Sequence, residues 1–126
     1  MIVGHGVDVE DVARVRKLLE AANEDFLEGT FTRSEREIEC SEHERAEFFA
    51  GRIAAKEAVV KALGTGFTGE ISWQQVEITR MSSGQPGVRL RGAALAAAEA
   101  LGVGRWLISI SHTDAVALAS AIAVQV

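Results

Sequence analysis

The stretch GRIAAKEAVVKALGTG, residues 51–66, sets three charged side chains, Lys56, Glu57 and Lys61, among alanines and valines. Its residues are strong helix formers, and together with the preceding segment they predict one long helix over 41–63. Charged residues inside such a small-residue, apolar helix are unusual when the helix packs against a core. They mark the part of the chain where a functional site is expected.

Residues three and four apart share a face of an α-helix. One track along the predicted helix therefore consists of Ala50, Ala54, Glu57, Lys61 and Gly64. The neighbouring apolar stripe, which we expect to pack against a sheet, consists of Phe49, Ile53, Val60 and Leu63. The simplest interpretation of Glu57 and Lys61 is an ion pair at spacing four, worth about 0.2 to 0.5 kcal/mol. Arg52 and Lys56 lie on the next row, where they add positive charge. A solvated surface position explains each of them about equally well.

The start of the chain predicts a strand over 2–8. Alternation places Gly4, Gly6 and Asp8 on one of its faces and turns His5 to the other. Two glycines leave bare backbone beside a carboxylate, as expected where a helix or a ligand approaches closely. Asp8 has an alternative role as the cap of a helix predicted over 11–22, and the strand alone does not decide between the two.

Asp8 and Glu57 together offer two hard oxygen ligands with room for waters and phosphate oxygens, which is how proteins usually hold Mg²⁺. Lys61 shares the face of Glu57 and is expected near the anion at that metal. The segment Gly64-Thr65-Gly66 lacks the spacing and the following Lys-Ser/Thr of a P-loop. We interpret Gly64 as the helix cap, with backbone contacts to a ligand.

The rest of the chain predicts helices and strands that do not alternate regularly. They are a short helix opened by a capping box at 34–37, a strand over 70–80 with an irregularity at 74–75, a strand over 88–91, a helix over 93–101, and a hairpin of strands over 106–111 and 116–126. This order favours an α+β fold over a doubly wound sheet. The length of 126 residues fits one domain, 1–126.

Composition excludes several classes of function. A net charge of -5 and a pI near 5.2 argue against a broad nucleic-acid-binding surface. Cys40 is the single cysteine, so neither an internal disulfide nor a cysteine-based zinc cluster is expected. The acidic N-terminus does not resemble a signal peptide, and no apolar run reaches the roughly 20 residues of a membrane span. We therefore expect a cytoplasmic protein that binds neither nucleic acid nor membrane.

His112 follows the strand over 106–111 at the start of a loop. A lone loop histidine is more often structural than catalytic, and the G-x-S-x-G motif of serine hydrolases is absent. Because His5 and His43 lie far away in sequence, a zinc site is disfavoured. We expect His112 to donate a hydrogen bond to a phosphate or to cap a pocket.

Five segments in this order closely resemble one family. They are GHGVD at 4–8, FTRSE at 31–35, FFAGRIAAKEAVVKALGTG at 48–66, SGQP at 83–86 and SISHT at 109–113. The set resembles the holo-acyl-carrier-protein synthases, the short 4'-phosphopantetheinyl transferases, over nearly the whole chain. The resemblance implies an antiparallel sheet packed against one long helix plus shorter helices, and a homotrimer with active sites between subunits.

The resemblance also implies an activity. It is transfer of the 4'-phosphopantetheine arm of coenzyme A to a serine of apo-acyl carrier protein, with Mg²⁺ as the ion and adenosine 3',5'-bisphosphate as the product. Asp8 and Glu57 match the family's metal ligands, and Lys61 matches its lysine near the diphosphate. The serine proton goes to Glu57 or to a metal-bound water, and the sequence does not separate these routes. Positions that match the coenzyme A site are Arg52, Pro86, His112 and Thr113.

The family meets the acidic carrier with its first helix, where this chain has Arg14, Arg16 and Lys17. Without the resemblance, an ordinary solvated helix face would explain these three cations. Two positions depart from the family. His5 replaces an apolar residue, for which we expect a packing or subunit-contact role, and Gln85 replaces a lysine before the matching proline, which removes a positive charge near coenzyme A.

Two other functions remain as alternatives. A magnesium-dependent hydrolase or nucleotidyl transferase could use the same two carboxylates and lysine. A small oligomeric binding module is the non-enzymatic alternative, but it gives no reason for Asp8, Glu57 and Lys61 to occur together.

Overall fold

Strands and helices follow one another irregularly in the part of the chain that the computed structural model describes, residues 1–21 and 24–126. The strands are β1 (Ile2–Asp11), β2 (Val76–Arg80), β3 (Pro86–Leu90), β4 (Val103–His112) and β5 (Val116–Gln125). The α-helices are α1 (Val12–Glu20), α2 (Glu24–Thr30), α3 (Arg33–Arg36), α4 (Arg45–Leu63) and α5 (Gly92–Ala100). Single turns of 3-10 helix occur at Glu42–Glu44 and Trp73–Gln75.

The strands form two antiparallel sheets. A three-stranded sheet has the order β1-β5-β4, and β2 pairs with β3 in a separate two-stranded sheet. The long helix α4 packs against β1 and β5. The predicted α+β class, with an antiparallel sheet against one long helix, is therefore confirmed, as is the hairpin of the last two strands.

Small residues let α4 lie directly on the backbone of β1. A Cβ on Gly6 would come within 1.9 Å of the Ala58 carbonyl oxygen, and one on Gly4 within 2.1 Å of the Ala62 oxygen. The facing side of β5 carries only alanines: Ala117, Ala119, Ala121 and Ala123. The expectation that the two glycines allow a close approach is confirmed, and the approaching element is the helix.

The opposite face of the three-stranded sheet is apolar and uncovered. Its exposed members include Val7, Val9, Leu107, Val116 and Leu118, each 41–54% exposed. His5 lies on this outer face opposite Ile122, as the alternation predicts. A patch of this kind on a small chain indicates an interaction surface.

A buried ion pair ties α4 to the segment around α3. Lys56 Nζ lies 2.8 Å from Glu35 Oε1, and both side chains are completely buried. The Glu35 carboxylate also accepts hydrogen bonds from the backbone amides of Thr32 and Ile78, both at 2.8 Å. Lys56 donates a second hydrogen bond to the Trp73 carbonyl at 2.9 Å. The pair thus joins α3, α4 and β2 around one fully hydrogen-bonded carboxylate.

The predicted long helix is confirmed from Arg45 to Leu63, with Gly64 as a left-handed cap at φ 77°, but its expected first turn is the 3-10 turn Glu42–Glu44. The predicted helix over 11–22 ends at Glu20, and residue 22 lies outside the described residues. The capping box predicted at 34–37 was misplaced, because Thr32 is the cap and Glu35 its partner. Helix α2 was not predicted.

The strand predicted over 70–80 begins only at Val76, because the irregularity expected at 74–75 is the 3-10 turn. The strand over 88–91 starts earlier, at Pro86, and the helix over 93–101 is α5. None of the helices in residues 1–21 and 24–126 is both long and apolar enough to cross a bilayer.

Candidate active site

Asp8, Glu57 and Lys61 come together where α4 crosses β1. Lys61 Nζ lies 3.1 Å from Asp8 Oδ1 and donates a hydrogen bond to the Val7 carbonyl at 3.1 Å. The simplest sequence interpretation, an ion pair between Lys61 and Glu57, is wrong, since Lys61 turns to the strand instead. The helix contributes a carboxylate and a lysine one turn apart, and the strand contributes the carboxylate they face.

The alternative role of Asp8 as a helix cap is also excluded. The N-cap of α1 is Asp11, whose Oδ1 accepts a hydrogen bond from the Ala13 amide at 3.0 Å. Asp8 Oδ2 is buried and has no hydrogen-bond partner within the described residues. A buried carboxylate oxygen without a donor is costly, so it indicates a missing positively charged or hydrogen-bonding partner.

Negative charge accumulates around Asp8. Burial raises the pKa of Glu57, and the charge of Asp8 raises it further against the opposing effect of Lys61. The pKa of Glu10 rises to about 7, because of burial first and then the interaction with Asp8, while Arg14 opposes the shift. Three carboxyl groups therefore compete for proton or cation, and Lys61 and Arg14 together neutralise them incompletely.

This arrangement fits a divalent cation that takes few protein ligands. Within residues 1–21 and 24–126, no group of three or more His, Cys, Asp or Glu side chains is arranged to hold a metal ion. Asp8 and Glu57 supply two carboxylates, and the unpartnered Asp8 Oδ2 leaves a buried ligand atom free. Mg²⁺ is usually held by one or two carboxylates plus waters and substrate phosphates, so the donor set fits Mg²⁺.

A cleft of about 380 Å³ opens beside the N-terminal half of α4. It brings together three of the residues predicted at coenzyme A, Arg52, Pro86 and His112. Three others lie elsewhere, among them Lys61 in the cluster with Asp8. Thr113 accepts hydrogen bonds from the amides of Ala115 and Val116 in the β4–β5 turn, and Gly64 ends α4.

The cleft holds a desolvated guanidinium. Arg52 is 7% exposed, its Nε has no partner in the described part of the chain, and its Cζ lies 4.6 Å from the ring centre of Phe48. Burial and, after it, nearby Arg80 lower the pKa of Arg52 to about 10 against the opposing effect of Glu35, so Arg52 remains a cation at neutral pH. The surface positions considered for Arg52 and Lys56 are wrong, because both are buried.

Two cleft residues, Phe48 and Arg80, were not predicted. Arg80 ends β2, and its Cζ lies 5.6 Å from the Phe48 ring centre, across from Arg52. Gln85 is exposed and does not line the cleft. Arg80 does line the cleft and supplies positive charge there. The only sequence signal was an arginine at the end of a strand just before the SSGQPG turn.

The predicted docking cations lie on α1 in three different states. Arg14 pairs with Glu10 at 2.5 Å, and Arg16 pairs with Glu47 at 3.3 Å. Lys17 is exposed, and none of the ion pairs between described residues includes it. The helix therefore presents one unpaired cation and two that are already held by carboxylates of the same chain.

The fold, the cluster at Asp8 and the cleft at Arg52 point to one class of protein. Comparison with known proteins leads to the same class. The family model of the 4'-phosphopantetheinyl transferase superfamily matches residues 4–118, so the chain belongs to this superfamily. A relative from Desulforudis audaxviator, a holo-[acyl-carrier-protein] synthase, is 46% identical over 126 residues, covering 98% of this chain and 94% of the relative. Within the superfamily, the chain groups with these synthases, which are enzymes.

Solved structures give the same grouping. The holo-ACP-synthase of Plasmodium yoelii superposes with a TM-score of 0.84 at 31% identity, covering 100% of this chain and 97% of that one. The Bacillus anthracis holo-(acyl-carrier-protein) synthase in complex with CoA (3',5'-ADP) superposes with a TM-score of 0.79 at 32% identity, covering 100% and 99%.

Proposed function

We propose that residues 1–126 act as a single phosphopantetheinyl transferase domain. It transfers 4'-phosphopantetheine from coenzyme A to a serine of apo-acyl carrier protein, depends on Mg²⁺ and releases adenosine 3',5'-bisphosphate. The observation that carries the proposal is the cluster of Asp8, Glu57 and Lys61, in which a buried Asp8 oxygen lacks a partner. The names of the relatives support the choice of substrates.

In this proposal, Asp8 and Glu57 hold Mg²⁺. When bound, Mg²⁺ supplies charge neutralisation at the coenzyme A diphosphate. The serine oxygen forms a bond to the phosphorus that carries the pantetheine arm, while the bond from that phosphorus to the bridging diphosphate oxygen breaks. Lys61, half exposed beside Asp8, stabilises the charge that develops on the phosphates.

The serine proton needs an acceptor in the same cluster. Glu57 belongs to that cluster, and burial and then Asp8 raise its pKa in the protein without a bound cation. We propose Glu57 as the acceptor, and water in the cluster is the alternative route.

The cleft at Arg52 is the proposed site for the nucleotide end of coenzyme A. Arg52 and Arg80 are donors for its phosphates, His112 is a further donor, and Pro86 lies in the turn proposed near the adenine. Arg52 precedes Glu57 on α4 by five residues, a rise of about 7.5 Å. Five residues also turn the helix by about 140°, so the two sites lie on different sides of α4, which fits the proposed homotrimer with active sites between subunits.

Other copies of the chain are the proposed partners of the outer sheet face. That face exposes Val9 and Leu118, and closed oligomers commonly bury such surfaces. We expect a homotrimer in light scattering, and Leu118→Asp should shift it to monomer. Leu101→Asp, on a similarly exposed leucine outside the sheet, is the control that should stay trimeric. A wild-type monomer at assay concentration would contradict this part of the proposal.

The direct test of function is the intact mass of a carrier after incubation with the protein, coenzyme A and Mg²⁺. We expect a mass gain of one phosphopantetheine group on apo-carrier and none on a carrier whose acceptor serine is replaced by alanine. Chelation of Mg²⁺ should prevent the gain, and adenosine 3',5'-bisphosphate should accumulate in step with it.

The alternatives give different results in that experiment. A hydrolase or nucleotidyl transferase consumes coenzyme A without modifying the carrier, and a binding module consumes none. Because carriers of fatty-acid and polyketide synthesis differ, both are tested. Unmodified carriers of both kinds would contradict the proposal. The expected cytoplasmic location remains a prediction.

The first helix is the proposed docking surface for the carrier, which is acidic in this family. Arg14 is the main proposed contact, since its guanidinium is 58% exposed near the catalytic cluster. Reversing its charge should raise the KM for carrier at low salt.

A further inference from the structure

Arg14 does not present a free cation to a partner. Its Nη2 lies 2.5 Å from Glu10 Oε1, and the Glu10 side chain is only 12% exposed. Glu10 follows Asp8 by two residues on β1 and precedes α1, so it lies between the proposed catalytic cluster and the docking helix along the chain. A carboxylate of the chain itself therefore occupies the guanidinium that the carrier is proposed to bind.

The junction between strand and helix fixes this contact. β1 ends at Asp11 and α1 begins at the next residue, with Asp11 as its cap. Glu10 is paired with Ala117 of the neighbouring strand, so its backbone position is set by the sheet. Only the rotamers of Glu10 and Arg14 have to change for the pair to open.

An ordinary surface pair at the same spacing provides a contrast within the chain. Arg33 and Glu37 are 2.8 Å apart, with side chains that are 85% and 64% exposed. Solvent screens such a pair, and it contributes little. The Glu10 carboxylate is only 12% exposed, so solvent screens its charged hydrogen bond to Arg14 less than it screens the pair of Arg33 and Glu37.

We propose that Glu10 is an internal competitor of the carrier: it occupies Arg14 in the free enzyme, and a carboxylate of the acidic carrier must displace it during docking. The inference rests on the proposed function, because it takes the carrier as the partner of α1. Within the proposed reaction, Glu10 is a residue that sets carrier affinity. It weakens the docked complex and favours release of the modified carrier.

The test is equilibrium binding of labelled apo-carrier to the protein at low salt, without coenzyme A and with chelator present. These conditions remove any effect of Glu10 on metal binding near Asp8. Glu10→Gln keeps the size of the side chain and removes its charge, and we expect it to tighten carrier binding by about 3- to 10-fold. The gain should shrink as salt is raised, because it is electrostatic.

Two controls separate competition from a general change in charge. Glu37→Gln removes the same charge from the exposed pair and should leave carrier affinity unchanged. In the background of Arg14→Ala, Glu10→Gln should produce no gain, because the competitor acts through that arginine. Thermal unfolding of each variant checks that the fold is retained. Carrier affinity of Glu10→Asp, whose shorter side chain reaches Arg14 less well, gives a second measure of the contact between residues 10 and 14.

The outcomes are distinct. Unchanged or weaker binding by folded Glu10→Gln overturns the inference, since Glu10 would then position Arg14 rather than compete for it. A gain that survives in the Arg14→Ala background overturns it as well. If the wild-type protein modifies no carrier in the mass experiment, the proposed function itself fails. Modification by wild type together with unchanged Glu10→Gln affinity rejects only the competition.

Discussion

Two lysines on α4, five residues apart, form ion pairs of opposite kinds. Lys56 and Glu35 are 2.8 Å apart and completely buried. Lys61 and Asp8 are 3.1 Å apart, and the lysine side chain is 50% exposed. We call the buried pair of Lys56 and Glu35 the closed pair and the partly exposed pair of Lys61 and Asp8 the open pair.

The difference lies in how far each carboxylate is satisfied. Glu35 accepts from the amides of Thr32 and Ile78 besides Lys56, so its buried charge is fully compensated. Asp8 keeps a buried oxygen without a partner. Saturated buried pairs fix a structure, whereas an unsaturated carboxylate next to a half-exposed cation can bind something else. The helix thus carries one saturated and one unsaturated ion pair.

Breaking the closed pair should have the largest effect on stability. Lys56→Met leaves the Glu35 charge buried without its cation and should lower the free energy of unfolding by about 3 kcal/mol. Urea denaturation of the variant and wild type measures this. Lys61→Met is the matched control on the same helix, with an expected change below about 1 kcal/mol, because its pair is half exposed. Equal losses in the two variants would contradict the distinction.

Replacing both members of the closed pair sharpens this prediction. Apolar replacements often restore stability at buried ion pairs. Here Glu35→Leu combined with Lys56→Met should not restore it, because the amides of Thr32 and Ile78 also lose their acceptor. A double variant as stable as wild type would show that these backbone contacts contribute little.

The open pair should control activity instead. Lys61→Met is expected to lower kcat for carrier modification by about 100-fold, because it removes the charge that stabilises the reacting phosphates. Lys61→Arg, which keeps the charge but changes its geometry, should retain more of the rate. A Lys61→Met enzyme that is folded and fully active would show that Lys61 takes no part in the reaction.

The cleft beyond the open cluster should show the smallest effect. Arg80→Gln removes one of two cations at Phe48 and should raise the KM for coenzyme A by about 5- to 10-fold, with little change in kcat. Arg91→Gln, an exposed arginine outside the cleft, should change neither constant. An unchanged KM in Arg80→Gln would place the coenzyme A phosphates elsewhere.

Local patterns allowed the sequence to predict α4, its glycine cap and the glycine face of β1. Helix periodicity and strand alternation each act over a few residues, which is why the common face of Glu57 and Lys61 and the orientation of Asp8 could be predicted. The choice of Lys61 for Asp8 rather than Glu57 depends on how the helix crosses the strand, and no local pattern contains that distance.

Residues brought together by tertiary contacts were missed for the same reason. Glu35 lies 21 residues before Lys56, and nothing in the sequence separates a buried lysine from a solvated one when both sit among alanines. Arg80 reaches Phe48 only because β2 packs near α4. The open cluster could be predicted from short motifs, whereas the closed pair and the cleft arginine required the fold.

The claim that Asp8 and Glu57 form a cation site is tested most directly by titrating Mg²⁺ into the protein in the presence of coenzyme A and measuring the heat of binding. We predict that Glu57→Gln weakens Mg²⁺ binding by at least about 10-fold. Its free energy of unfolding, measured by urea denaturation, should equal or exceed that of wild type, because the substitution relieves repulsion with Asp8. Mg²⁺ affinity equal to that of wild type in a folded Glu57→Gln protein would contradict the account.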